Sequence, residues 1–207
     1  MTPRIKICGI TRVEDGLAAV HLGADAIGLV FVDQSPRRIT LEQAVAIARA
    51  LPPFVATVAL FVNPEPDRVR AVETSLRPSL MQFHGEESAE FCRAFSTPYL
   101  KGIRVRPETD LLQCASDFAE AAGLLLDAYA PGAHGGTGHS FDWSLIPPAM
   151  PLPVILAGGL HAGNVAEAVR RVRPWAVDVS SGVEASKGIK DADKMAAFIK
   201  EVNHADV

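Results

Sequence analysis

Short runs of apolar and β-branched residues alternate with longer stretches in which apolar positions recur every three or four residues, from one end of the chain to the other. The runs predict strands at Ile5–Cys8, Ala26–Phe31, Ala56–Phe61, Leu80–Phe83, Tyr99–Val105, Leu124–Asp127, Val154–Ala157 and Ala176–Ser180. Helical periodicity falls on Val13–Leu22, Leu41–Leu51, Asp67–Leu76, Ser88–Phe95, Asn164–Val172 and Asp191–Val202. Thr40 and Ser88 stand where N-caps belong. Glu108–Ala122 reads as a further helix, whereas only a short one fits between Phe141 and Pro147.

Eight strand–helix units in 207 residues suit an α/β chain folded as a minimal (β/α)8 TIM barrel, one domain over residues 1–207. A chain of this length buries roughly 70% of its unfolded surface, and no stretch reads as a linker. The rival is an open doubly wound sheet. Two features favour the barrel: the candidate chemical groups follow several different strands, and the glycine-rich loops come late, after strands seven and eight. A dinucleotide-binding sheet would carry its glycines after the first strand, where Cys8-Gly-Ile-Thr11 stands instead.

A formal charge of −4 provides no overall basic field for nucleic acid or an anionic membrane. The longest uncharged run, Trp143 to Ala166, contains Pro147, Pro148, Pro151, Pro153 and three glycines, and so breaks into loop, strand and loop. Arg4, Lys6, Arg12, Glu14 and Asp15 leave no apolar signal core near the start, and a cytoplasmic location is expected. Cys8, Cys92 and Cys114 are odd in number and widely spaced, so free thiols are expected.

Two titratable groups end apolar strands: Cys8 in Lys6-Ile-Cys-Gly-Ile-Thr11 and Asp127 in Leu124-Leu-Leu-Asp127. A thiol and a carboxyl facing each other across a pocket can take and give a proton, which is isomerase chemistry. Taken alone, a buried cysteine is more often core filler, and an aspartate before a glycine-rich loop is as often a cap. Cys92 and Cys114 lie within helical patterns and read as structural. To donate near pH 7, a carboxyl with an ordinary pKa of about 3.9 needs a desolvated pocket.

Leu156-Ala-Gly-Gly-Leu160, with Asn164 opening a helix behind it, and Ser180-Ser-Gly-Val183 occupy the positions where barrels cradle phosphate on backbone amides. Either glycine set alone could serve only as a tight turn. The segment Gly132 to Gly138, with four glycines, reads as a loop able to fold over a ligand. In Ser35-Pro-Arg-Arg38 a guanidinium fork could hold a substrate carboxylate, although such a pair is more often a solvated turn. His84 ends Gln82-Phe-His-Gly85 and could line the mouth.

These segments resemble phosphoribosylanthranilate isomerases. The resemblance runs in order through Lys6–Thr11, Gly28–Phe31 with Ser35-Pro-Arg37, Leu60-Phe-Val-Asn63, Gln82-Phe-His-Gly-Glu86, Leu125-Leu-Asp127, Gly135-Gly-Thr-Gly138 with Phe141-Asp-Trp143, Leu156–Leu160 with Asn164-Val165, and Val177–Glu184. It implies a barrel that converts N-(5-phosphoribosyl)anthranilate into 1-(2-carboxyphenylamino)-1-deoxyribulose 5-phosphate by an Amadori rearrangement in tryptophan biosynthesis, without metal or cofactor. On this resemblance Cys8 is the general base, Asp127 the general acid and Arg37 the anthranilate-carboxylate ligand. Gly158, Gly159, Ser181 and Gly182 form the phosphate site, with His84 and Gly136 at the substrate. The expected partner is a small phosphorylated substrate, not nucleic acid or a membrane, and the assembly a monomer or homodimer. Ala162 and Phe83 depart from the family pattern, away from the chemistry.

The alternatives are another phosphate-binding barrel of sugar-phosphate metabolism, such as an epimerase or indole-glycerol-phosphate synthase, and a catalytically silent barrel that binds another enzyme. An epimerase wants metal-ligand histidines, which His84 alone does not supply. Strand parity adds an expectation of its own. If Cys8 faces the mouth, Lys6 points inward one layer deeper, and Asp178 does the same below Ser180 on the adjoining eighth strand. A buried Lys6–Asp178 ion pair is predicted, whose ammonium favours a Cys8 thiolate if it lies nearer than the carboxylate.

Overall fold

The structure is a computed structural model that describes residues 2–128 and 141–205. Eight parallel strands close into a barrel in chain order: β1 (Arg4–Cys8), β2 (Ala26–Val30), β3 (Ala56–Phe61), β4 (Leu80–Phe83), β5 (Tyr99–Val105), β6 (Gly123–Ala128), β7 (Val154–Leu156) and β8 (Ala176–Val179). The seam is made by β1 and β8, in register from Arg4 opposite Ala176 to Ile7 opposite Val179. Every strand anticipated from the apolar runs is present, within a residue or two at its ends.

Outside the barrel lie α1 (Val13–Leu22), α2 (Leu41–Ala50), α3 (Pro66–Leu76), α4 (Ala89–Arg93), α5 (Leu111–Asp117), α6 (Val165–Val172) and α7 (Ala192–Asn203). Thr40 closes a capping box with Gln43, and the Ser88 hydroxyl accepts from the Phe91 amide, as their positions suggested. Asp110 and Asp191 do the same for α5 and α7. The helix expected over Glu108–Ala122 is shorter than its periodicity. It starts after the Asp110 cap and stops at Asp117, because the Ala122 amide already donates to Tyr99 O at the sheet. Between Phe141 and Pro147 there is a single 3-10 turn, Trp143–Leu145.

Alternation sorts the strand residues into two environments. Outward-facing Phe31, Phe61 and Phe83 stack in series, with centroids 5.5 and 6.0 Å apart, and Phe91 and Phe95 of the fourth unit close on Phe83. The inward faces of the last strands hold Leu100, Leu125, Ile155 and Ala176, an apolar plug at the N-terminal end of the barrel. Above that plug the interior becomes polar.

After β8 the chain makes a 3-10 turn, Ser181–Val183, and then an antiparallel hairpin of β9 (Glu184–Ser186) and β10 (Ile189–Lys190). This hairpin has no apolar alternation to announce it. At the opposite end a cavity of about 600 Å3 is lined by prolines and aliphatic residues, with Arg173 as its charged member. It lies at the N-terminal ends of the strands, away from the polar interior. No described helix is long and apolar enough to cross a membrane.

Candidate active site

Lys6 and Cys8 alternate inward along β1. The ammonium of Lys6 sits 2.9 Å from Asp178 Oδ1, and both side chains are buried, so the ion pair expected from strand parity is present. The same ammonium donates to Gln82 Oε1 at 2.9 Å and interacts with Cys8 one layer above. A buried lysine without such partners would lose its charge. Burial pulls the ammonium down, but Asp178 and Cys8 outweigh it and hold Lys6 above its ordinary value.

Cys8 is buried at the end of β1. Burial pushes its thiol up, Lys6 and Lys190 pull it down, and the net direction is upward. The field of Lys6 therefore does favour the thiolate, as anticipated, but desolvation is the larger effect. Cys92 is pushed up to about 12 by burial, as befits a thiol in the helical layer.

Asp127 stands one residue from the end of β6, buried and facing inward. Its Oδ1 accepts from the Ala128 amide at 2.8 Å, and its Oδ2 lies 3.1 Å from His84 Nε2. His84 follows β4 directly and its Nδ1 is 2.9 Å from Gln82 Nε2. A line of hydrogen bonds thus joins Lys6 to Asp127 through Gln82 and His84, with Cys8 in the field of the same ammonium.

Arg37 and Arg38 separate cleanly. Arg38 is exposed and lies 3.6 Å from Asp33, a solvated contact. Arg37 turns inward, and its Nε and Nη2 donate to the two oxygens of Glu184 at 2.7 and 2.8 Å, a bidentate fork. Lys190 of the hairpin reaches the same carboxylate at 3.0 Å and the Ser180 carbonyl at 3.1 Å. Burial raises the Glu184 carboxyl, but Arg37 and Lys190 more than offset it and leave it below the usual carboxylate range. Gln82 and Glu184 stood within the matched segments without an assigned role, and Lys190 was not singled out at all. Glu184 and Lys190 lie on the unannounced hairpin, whereas Gln82 could have been found by applying to β4 the parity that revealed Lys6.

The two glycine loops meet at the same end. Gly158 has φ of +85°, and a Cβ there would lie 3.0 Å from Asp127 Oδ1, so the loop after β7 abuts the carboxyl. Gly182 packs against the Leu160 carbonyl, closer than any Cβ would allow. Asn164 binds the first loop together: its side chain accepts from the His161 amide and donates to Gly159 O, each at 2.9 Å. Ser181 opens the 3-10 turn beside it. Gly136 and the rest of the Gly132–Gly138 loop lie outside the described residues.

Fold and site together define a (β/α)8 barrel enzyme with a thiol and a carboxyl facing the barrel interior at the C-terminal ends of its strands. Residues 5–201 match the family model described as N-(5'phosphoribosyl)anthranilate (PRA) isomerase, and the chain belongs to that family. An N-(5'-phosphoribosyl)anthranilate isomerase of Thiobacillus denitrificans is 60% identical over 97% of this chain and 98% of its own length. The crystal structure of the phosphoribosyl anthranilate isomerase from Thermotoga maritima superposes with a TM-score of 0.89 at 44% identity, covering 97% of this chain and 98% of that one. A further isomerase structure, in complex with reduced 1-(o-carboxyphenylamino)-1-deoxyribulose 5-phosphate, gives a TM-score of 0.86 at 42% identity, with the same coverage.

Proposed function

We propose that Cys8 and Asp127 are the base and acid of an N-(5-phosphoribosyl)anthranilate isomerase acting in tryptophan biosynthesis. The observation that carries the assignment is that both groups are buried at the C-terminal ends of strands of one barrel, Cys8 on β1 and Asp127 on β6, where Asp127 abuts the glycine loop after β7. Asp127 protonates the ribose ring oxygen, the ring opens, and C1 becomes a Schiff base with the anthranilate nitrogen. The Cys8 thiolate removes the C2 proton, which is acidified by that iminium, and the resulting enolamine tautomerises to the ketone. The gain from each positioned proton-transfer group is about 10²–10⁴-fold.

The backbone at Gly158, Gly159, Ser181 and Gly182 receives the phosphate, and Arg37, steadied by Glu184, receives the anthranilate carboxylate. His84 holds Asp127, and Gly136, in the glycine-rich segment outside the described residues, is a further substrate ligand. The chain works as a monomer or homodimer; a dimeric isomerase from Thermotoga maritima stands among the structural relatives. A cytoplasmic location is supported by three unpaired thiols.

Loss of phosphoribosylanthranilate fluorescence measures the reaction directly, with an aminoimidazole carboxamide aminoaldose run in parallel as a second substrate. Cys8→Ala and Asp127→Asn each lower kcat by at least about a hundredfold while circular dichroism stays unchanged. Near wild-type turnover in either variant removes that residue from the mechanism. A rise in KM alone for Asp127→Asn makes it a binding group.

A further inference from the structure

His84 touches Asp127, and what that contact does to the carboxyl depends on which imidazole nitrogens carry protons. An imidazolium 3.1 Å from Asp127 would hold the carboxyl ionised and unable to donate. A neutral ring with its proton on Nε2 lets the carboxyl keep its proton and still offers a hydrogen bond to the carboxylate formed when the proton leaves. The ring alone does not decide between these forms.

The neighbours decide it. The Lys6 ammonium has three donors and no acceptor, so the Gln82 atom 2.9 Å away is the amide oxygen. This fixes which way the amide faces, because the ammonium is itself held at 2.9 Å by Asp178 on the adjoining strand. The other end of the amide, an NH2 with donors only, then meets His84 Nδ1 at 2.9 Å. A protonated Nδ1 would set two donors against each other in a site where Gln82 and His84 are both buried. Nδ1 is therefore the lone pair, and the single ring proton sits on Nε2, 3.1 Å from Asp127 Oδ2. The ring packs over Gly102, in space that a Cβ would claim, since a Cβ there would be 2.7 Å from Nδ1. Arg104, which follows Gly102 two residues later on β5, is drawn to Glu86 at 3.2 Å.

We propose that Gln82 is a positioning residue, oriented by Lys6, that keeps His84 neutral with its proton on Nε2 so that Asp127 can hold and then release the catalytic proton. The positive charge of Lys6 stops at a neutral amide. What reaches the acid is a fixed hydrogen-bond direction. The catalytic consequence rests on the assignment of Asp127 as the acid, whereas the tautomer does not.

Two-bond 1H–15N correlation spectra of 15N-histidine-labelled protein read the tautomer directly, and His84→Asn identifies the resonances among six histidines. The unmodified enzyme at pH 7 should show His84 with a bare Nδ1 and a protonated Nε2. A protonated Nδ1 in that spectrum overturns the proposal without any variant having to fold. Gln82→Glu keeps the contact with Lys6 but turns the other oxygen toward Nδ1, so Nδ1 should become protonated and kcat should fall by at least about tenfold with KM within about twofold. Gln82→Met should give mixed tautomers and an intermediate kcat. Unchanged kcat in both variants, or an unchanged tautomer in Gln82→Glu, makes Gln82 a packing residue only. If Asp127→Asn turns over normally while the tautomer is as stated, the acid assignment fails and the Gln82 geometry stands.

Discussion

At the scale of single residues, the site is governed by how far burial and charge offset each other. Cys8 is the clearest case: a base must be deprotonated, yet desolvation holds the thiol above its ordinary value despite two lysines. Its alkylation by iodoacetamide, followed by peptide mass, should therefore rise with pH around a midpoint above the free-cysteine value of about 8.5. A midpoint at or below that value would mean that Lys6 and Lys190 outweigh burial. Arg37 shows the opposite balance, since Glu184 occupies its Nε and Nη2 and aims the rest of the fork. Arg37→Met should weaken binding of a carboxylate-bearing product analogue by about 1.5–3 kcal/mol and leave an analogue lacking that group unaffected. A retained preference for the carboxylate would assign it to another partner. The Glu184 carboxyl is held below its usual range, so its clamp stabilises the fold above the ordinary carboxylate value of about 4.3 and is lost as pH falls through its lower folded value.

At the scale of elements, the loops after β7 and β8 act as one unit because Gly182 is pressed against the Leu160 carbonyl. A methyl group there meets backbone, which cannot swing aside as a flexible side chain would, so Gly182→Ala must spread the two loops at a cost of about 1–3 kcal/mol. Inhibition by inorganic phosphate should weaken by about tenfold. Unchanged inhibition with a lowered Tm would make this contact structural and place the phosphate elsewhere. Elements with a strong period were legible in the sequence: all eight strands, the caps at Thr40 and Ser88, and the glycine loops. The hairpin from Glu184 to Lys190 was not, because its partners are a carboxylate and two cations whose meeting depends on the turn between them. For the same reason the buried Lys101–Glu87 pair, 2.8 Å apart beneath the β4 loop, leaves no local trace. Periodicity reports burial against a face, and these residues are buried against one another.

At the scale of the whole molecule, the barrel closes where the first and last strands meet, and the charges at that seam were predictable from parity alone. Lys6 lies in register opposite Asp178, which puts both on the inner face across the one junction that joins the two ends of the chain. Each ion is almost entirely removed from water, so neither charge is tolerable without the other. Lys6→Met removes the cation, strands Asp178 and leaves the Gln82 oxygen without its donor, and should cost about 3–5 kcal/mol in urea unfolding. Adding Asp178→Leu removes the stranded charge and should recover much of that loss, giving a strongly non-additive cycle. Additive losses would mean that the two charges do not depend on each other. The recovered double variant should nevertheless remain slow, because an apolar Lys6 position no longer orients Gln82. Stability restored without kcat would separate the part of this ion pair that closes the barrel from the part that serves the acid, whereas full recovery of both would reduce Lys6 to filling the barrel.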